Sequence, residues 1–323
     1  MVGSGAGRRR GASCPGGLRG GAAVVALLLV LAGCSDGGDA AAGGGTGGGA
    51  TGAASARPAG PSPSSSAARP KTSSSTDSAA AAARWRKGSP ALTAALAELA
   101  EDRPDFAVAV RDNRSGAVYS YRGRTRFETA SVVKVDVLAA LLLQAQNQDR
   151  PLTSAERGLA RRMITASDNA ATSALYRKVG RSAGLRRANE RLGLTHTTPA
   201  SSWGLTRTTA LDQARLVSEL RDGRGPLSPA SRTYATGLMR AVVPGQRWGV
   251  SAAARSGEKV ALKNGWLPRS TEGHRWIVNS VGRVTGKEVD VSIAVLSHGH
   301  RSQASGIATV EEVAELTRTH LRW

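Results

Sequence analysis

Apolar positions are spread very unevenly along the chain. Residues 22–32 form one short apolar block, AAVVALLLVLA, and roughly 50 residues with almost no large apolar side chain follow it. From about Trp85 onward the pattern becomes that of one folded unit of roughly 240 residues, long enough to bury a substantial core. Ser89-Pro90 opens a helical segment that runs to about Glu101. Asp105 to Arg111 and Ala117 to Tyr121 alternate with a period of two around Asp112-Asn113-Arg114-Ser115-Gly116, which reads as a hairpin turn. From Ser131 to Met239 the period is helical, with breaks at Pro151, Gly180, Gly193 and Pro199. Strands return over Lys259 to Lys263, His274 to Val284 and Glu288 to Ser297, and a helix from about Ala304 to His320 closes the chain. This order predicts an α+β fold: an antiparallel five-stranded sheet flanked by helices, with an all-helical lobe inserted. There is no internal repeat.

One position breaks the pattern of its own element. The run Ser131 to Gln146, SVVKVDVLAALLLQAQ, is apolar nearly all round, so its helix is buried on most faces, yet it carries Lys134. An unpaired ammonium there would cost several kcal/mol. Residues i and i+3 share a helix face, so the amine can reach the Ser131 hydroxyl. Burial and a neighbouring cation both favour the neutral amine, which can take the serine proton and create a nucleophile. Ser131 as a plain helix cap is the competing reading, but a cap does not require an amine one turn later.

Two further constellations fall where this architecture would bring them to Ser131. Ser167-Asp168-Asn169 ends a predicted helix, and Lys263-Asn264-Gly265 ends the third predicted strand. SxxK, then SDN, then Lys-x-Gly on a strand resembles the class A β-lactamases and penicillin-binding proteins, over about residues 89 to 320. The resemblance implies that Ser131 is the nucleophile, that Lys134 helps to deprotonate it and that Ser167 relays a proton to the leaving nitrogen. It further implies that Asn169 binds a substrate amide, that Asp168 holds the turn and that Lys263 offers positive potential to a substrate carboxylate. Gly265 would let the backbone approach the substrate, and the amides of Ser131 and Trp266 would form the oxyanion hole. Asn264, Lys263, Gly265, Trp266 and Asn169 are thus the expected binding residues, with Ser131, Lys134 and Ser167 catalytic.

Departures from the family pattern bear on turnover. Asn264 stands where the pattern has a hydroxyl side chain. Class A enzymes also carry a loop glutamate that activates the deacylating water. The corresponding stretch here, Gly193 to Thr209, is GLTHTTPASSWGLTRTT and holds no acid. A general base is typically worth about 10²- to 10⁴-fold, so acylation is expected to persist while deacylation slows. His196 lies in this stretch, and Glu190 and Asp212 bracket it. Arg269 and Arg275 read as surface charge. Three functions fit: a β-lactam hydrolase, a penicillin-binding peptidase slowly acylated by β-lactams, or an idle binding lipoprotein.

The N-terminal third bears on location. Arg8, Arg9, Arg10 and Arg19 precede the apolar block, and Leu31-Ala32-Gly33-Cys34 follows it, which resembles a bacterial lipoprotein signal peptide over residues 1–33. Its apolar stretch of about 11 residues is short of the roughly 20 that span a bilayer. Cys34 would carry lipid and hold the protein on the extracytoplasmic face of the cell membrane. Residues 34–84, rich in Gly, Ala, Ser and Pro, read as a disordered tether before the domain at 85–323.

With Cys14 in the signal and Cys34 lipidated, the mature domain has no thiol chemistry. A formal charge of +20 would suit nucleic acid, but export and the lack of aromatic-interleaved basic motifs exclude that partner. His298-Gly299-His300 has too few ligands for a metal. The expectation is therefore a monomer with no cofactor, whose partners are a β-lactam or peptidoglycan-peptide-like substrate and the membrane.

Overall fold

A computed structural model describes residues 73–221 and 225–323. The expected signal peptide, Cys34 and most of the expected tether lie outside these residues. Helix α1 (Ser73–Asp102) precedes strands β1 (Phe106–Asp112), β2 (Val118–Tyr121) and β3 (Arg126–Glu128). Helices α2 (Val133–Asn147), α3 (Ser154–Thr165), α4 (Asn169–Lys178) and α5 (Arg181–Leu192) follow. After β4 (Arg207–Thr209) come α6 (Ala210–Glu219) and α7 (Pro229–Arg240), then β5 (Lys259–Arg269), β6 (Arg275–Thr285), β7 (Asp290–Ser297) and α8 (Gln303–Leu321). The main sheet has five antiparallel strands in the order β2-β1-β7-β6-β5, and β3 pairs with β4 apart from it.

Alternation along the strands divides the core in two. Ala107, Ala109, Val281, Ala294 and Leu296 face the helical lobe, where Val133, Leu138, Leu141, Met163, Leu175 and Leu216 pack. Phe106, Val108, Val110, Val278, Ile293 and Val295 face the opposite side with Trp85, Leu92 and Leu96 of α1 and Val310 and Val313 of α8. Each fully buried leucine of this kind contributes about 2 to 3 kcal/mol. The central strand β7 is buried from Val291 to Ser297, so both layers press on it.

Three element boundaries differ from the sequence reading. Helix α1 starts at Ser73 rather than Ser89, so residues 73–84, expected in the tether, are helical. Five consecutive alanines, Ala79 to Ala83, lie here, and alanine forms helix without any amphipathic pattern. Strand β5 continues six residues past Lys263, because Asn264 and Gly265 pair across to Ser280 and Asn279 instead of turning. Ser131 sits in a 3₁₀ turn, Ala130–Val132, and α2 begins after it.

Candidate active site

The turn that carries Ser131 is held from two sides. Asn279 of β6 donates from Nδ2 to the carbonyls of Glu128 (2.9 Å) and Thr129 (3.0 Å). Strand β5 approaches so closely at Gly265 that a Cβ there would lie 2.6 Å from Ser131 N and 2.7 Å from Val132 N. Only glycine fits such an approach. Ala130 adopts a positive φ of 44°, and Ser167 one of 59°. Non-glycine residues in this region store strain, and here one directly precedes Ser131 and the other meets the Lys134 amine.

Lys134, fully buried in the first turn of α2, gathers the site. Its Nζ lies 2.9 Å from Ser131 Oγ, 2.9 Å from Ser167 Oγ, 2.7 Å from the Ser167 carbonyl and 2.8 Å from Asn169 Oδ1. Two of these partners, the carbonyl and the amide oxygen, can only accept. They use two N–H groups, which is the full complement of a neutral amine, and its lone pair is left to the two hydroxyls. Burial lowers the Lys134 pKa to about 7, against a smaller opposing pull from Asp168. Asp168 itself caps α4, accepting from Ala171 N at 2.9 Å and pairing with Arg162 at 3.3 Å, so it shapes the turn. Asn169 is exposed.

Strand β5 forms one wall. Lys263 and Gly265 point to the Ser131 side, and Asn264 and Trp266 to the other. Lys263 is fully buried, donates to the Asn264 carbonyl at 2.7 Å, and burial together with nearby Lys134 holds its pKa well below the usual lysine range. Asn264, an expected binding residue, has its side chain engaged within the protein. Its Nδ2 donates to the carbonyls of Gln246 and Trp248, both at 2.9 Å, and its Oδ1 accepts from Ser280 Oγ at 2.6 Å. That amide ties a loop to the back of the sheet. The Trp266 ring likewise packs on Trp248, centroids 5.8 Å apart, so Trp266 can serve the site only through its main chain.

The loop that lacks an acid supplies Trp203 instead. Its ring lies over the Lys134 amine, 5.0 Å from Nζ to the centroid, and its Nε1 donates to Ser173 Oγ at 3.2 Å. Sequence reading passed over this tryptophan, although a lone large aromatic in a Ser/Thr-rich loop was the signal available. Glu190 is exposed on α5, and buried Asp212 accepts from His196 N (2.8 Å) and Thr197 Oγ1 (2.7 Å). His196 touches Arg124, Thr195 and Asp212, none of which belongs to the serine cluster. Arg269 pairs with Glu128 and Glu272. Among the described residues no group of three His, Cys, Asp or Glu side chains could hold a metal.

Comparisons with known proteins agree with this architecture. A profile of the beta-lactamase enzyme family matches residues 153–321, which includes SDN and the Lys-x-Gly strand. A protein of Mycobacterium tuberculosis named Putative lipoprotein LppW is 29% identical over 216 residues, covering 64% of this chain and 67% of that one. The Mycobacterium bovis protein of the same name matches equally. The crystal structure of TLA-1 extended spectrum beta-lactamase superposes with a TM-score of 0.65 at 16% identity, over 73% of this chain and 99% of that one. The structure of PBP-A gives a TM-score of 0.62 at 21% identity, over 72% and 96%.

Proposed function

We infer that this chain, which belongs to the beta-lactamase enzyme family, forms an acyl-enzyme at Ser131 with β-lactam or related amide substrates and releases it slowly. The observation that carries the reading is the Lys134 amine 2.9 Å from the Ser131 hydroxyl with both its N–H groups engaged elsewhere. The neutral amine takes the Ser131 proton as Oγ attacks the substrate carbonyl. The Ser131 and Trp266 amides face the resulting oxyanion, a contribution typically worth about 3 to 4 kcal/mol per donor. Ser167 passes a proton from the Lys134 ammonium to the leaving nitrogen, the C–N bond breaks, and an ester on Ser131 remains with the amine neutral again.

Hydrolysis of that ester requires a water and a base. The loop Gly193 to Thr209 offers no carboxylate, and its Trp203 ring lies over Lys134. A long-lived acyl-enzyme is the consequence, closer to a penicillin-binding peptidase than to a fast β-lactamase. Lipid attachment through Cys34 on the extracytoplasmic face is part of the same proposal, supported by the lipoprotein name of the mycobacterial relatives.

Incubation of the purified chain with a β-lactam, following intact mass and free antibiotic together, tests this reading. A lasting adduct that is absent in Ser131→Ala supports it. Rapid loss of antibiotic without an adduct makes the chain a fast β-lactamase, and the absence of both contradicts acylation by lactams.

A further inference from the structure

A cleft away from Ser131 gathers arginines that no carboxylate neutralises. It has a volume of about 220 Å³ and lies between the β1–β2 hairpin, α6 and the start of the loop Gly193 to Thr209, with Arg111, Arg124, His196 and Arg215 on its walls. A second cleft of about 400 Å³ adjoins it, shares Arg111 and Arg215, and adds Arg191. None of Ser131, Lys134, Ser167, Asn169 and Lys263 lines either cleft.

Elsewhere on the domain arginines find acids: Arg150, Arg269, Arg283 and Arg318 each lie 3.0 Å or less from a carboxylate oxygen. Among the described residues Arg111, Arg124, Arg191 and Arg215 have no such partner. Neutral groups hold them instead. Arg215 Nε donates to the Leu192 carbonyl at 3.1 Å, Arg191 Nη1 donates to Asn147 Oδ1 at 2.8 Å, and Arg124 Nη1 lies 3.5 Å from His196 Nε2. A guanidinium has five N–H donors, so most of each fork is left for another acceptor. Asp212, the acid of the first cleft, is buried and already accepts from His196 N and Thr197 Oγ1. Glu219, the acid of the second, shares it with Arg111, Arg191, Arg215 and Arg221. Walls of one sign focus the field inside a cleft and draw in counter-ions.

We propose that the two adjoining clefts form a binding groove for an extended phosphate-bearing polyanion, a linear polymer with phosphate groups in its backbone. Arginine forks pair bidentately with phosphate oxygens. Two clefts that share two arginines suit a chain of successive anionic groups better than a single ion. Their recessed walls suit a chain better than the flat headgroup plane of a bilayer. The groove is separate from the Ser131 chemistry and stands without it.

Short-chain inorganic polyphosphate is the probe, with polyglutamate and phosphatidylglycerol vesicles beside it. All are titrated against the full chain at about 0.15 M salt, where the Debye length of about 8 Å screens charges beyond the groove. Arg111→Gln with Arg215→Gln is expected to weaken polyphosphate binding at least about tenfold. Arg86→Gln with Arg255→Gln removes the same charge from exposed positions outside the clefts and is expected to weaken it less than about threefold. Thermal unfolding checks that the first pair folds. If it does not, Arg215→Gln alone, at an exposed side chain, is read in its place, with a loss of about threefold expected.

Equal losses in the two double variants would reduce the effect to net charge and overturn the groove, as would a parent chain that does not bind polyphosphate. Tighter binding of polyglutamate than of polyphosphate overturns the phosphate assignment. Vesicle binding that falls with Arg111 and Arg215 while polyphosphate binding holds gives the face to a lipid surface and overturns the polymer.

Discussion

The Trp203 indole covers the Lys134 amine, with 5.0 Å between Nζ and the ring centroid, and this contact pulls the amine in two directions. A ring face favours the ammonium by about 0.5 to 2 kcal/mol. Exclusion of water favours the neutral amine, and the fall from 10.5 to about 7 corresponds to roughly 5 kcal/mol at about 1.4 kcal/mol per pKa unit. Desolvation therefore wins. On the proposed mechanism the same ring would both help to keep the amine neutral and shield the Ser131 ester from water.

Trp203→Ala should separate these effects. Water gains access to Lys134, so the amine pKa moves back up toward the ordinary lysine range. Water also gains access to the ester, and the adduct lifetime should shorten about tenfold. Intact-mass decay after removal of free β-lactam measures the second effect. An unchanged lifetime would mean that Trp203 does not control water at the ester.

Acylation should depend on pH through one group. Lys134 must be uncharged to accept the proton, so the rate is low below its pKa, rises through about 7 and levels above it. The pH dependence of adduct formation checks this. A rate still rising steeply at pH 9 would place the base elsewhere.

Asp136, fully buried two residues after Lys134, predicts a pH effect on stability that is separate from catalysis. Burial raises its pKa to about 7, and its polar contact is Gln213 Nε2 at 3.4 Å from both carboxyl oxygens. An acid with a raised folded pKa binds its proton in the folded state while the unfolded chain, near 4, has released it. Its contribution is complete below about pH 4 and is lost as pH rises through about 7. Asp136→Asn should therefore gain stability relative to the parent as pH rises from 5 to 8, by about 2 to 3 kcal/mol. Denaturant unfolding at several pH values measures the difference, and a gap that does not change with pH would show Asp136 ionised throughout.

Asn264→Ala removes one buried and two partly buried hydrogen bonds and leaves two carbonyls and one hydroxyl short of a partner. A loss of about 2 to 4 kcal/mol in unfolding free energy is expected. The rate of adduct formation at Ser131 should stay within about twofold, because the side chain is turned away from Ser131 and engaged within the protein. A large fall in that rate in a variant that still folds would put Asn264 in the binding site.

Most of the fold was legible where burial imposes a period. Strands β1, β2, β6 and β7 and helix α8 matched their alternation or helical pattern to within a few residues. Strands β3 and β4, three residues each, are too short for a period, and α1 begins in alanines that carry no amphipathic signal. At the site, the proximity of Ser131 and Lys134 was legible from their i, i+3 spacing, whereas Ser167 and Asn169 entered only through the resemblance of their motif to the family's; all four meet at one amine. The face that Asn264 occupies was not legible, because the sequence reading ended the strand at this triplet and a residue's identity alone does not tell which side of a strand it lies on. Trp203 was missed because its role depends on a loop crossing back over α2, a long-range relationship without a local pattern.

The central claim is that Lys134 is an uncharged amine near neutral pH, and a direct titration reads it. Lysine labelled with ¹³C at Cε, with the Lys134 resonance identified by its absence in Lys134→Arg, reports that amine's protonation by NMR across pH 5 to 11. A midpoint of about 7 is predicted. A midpoint above about 10 would mean a permanent ammonium beside Ser131 and would contradict the mechanism.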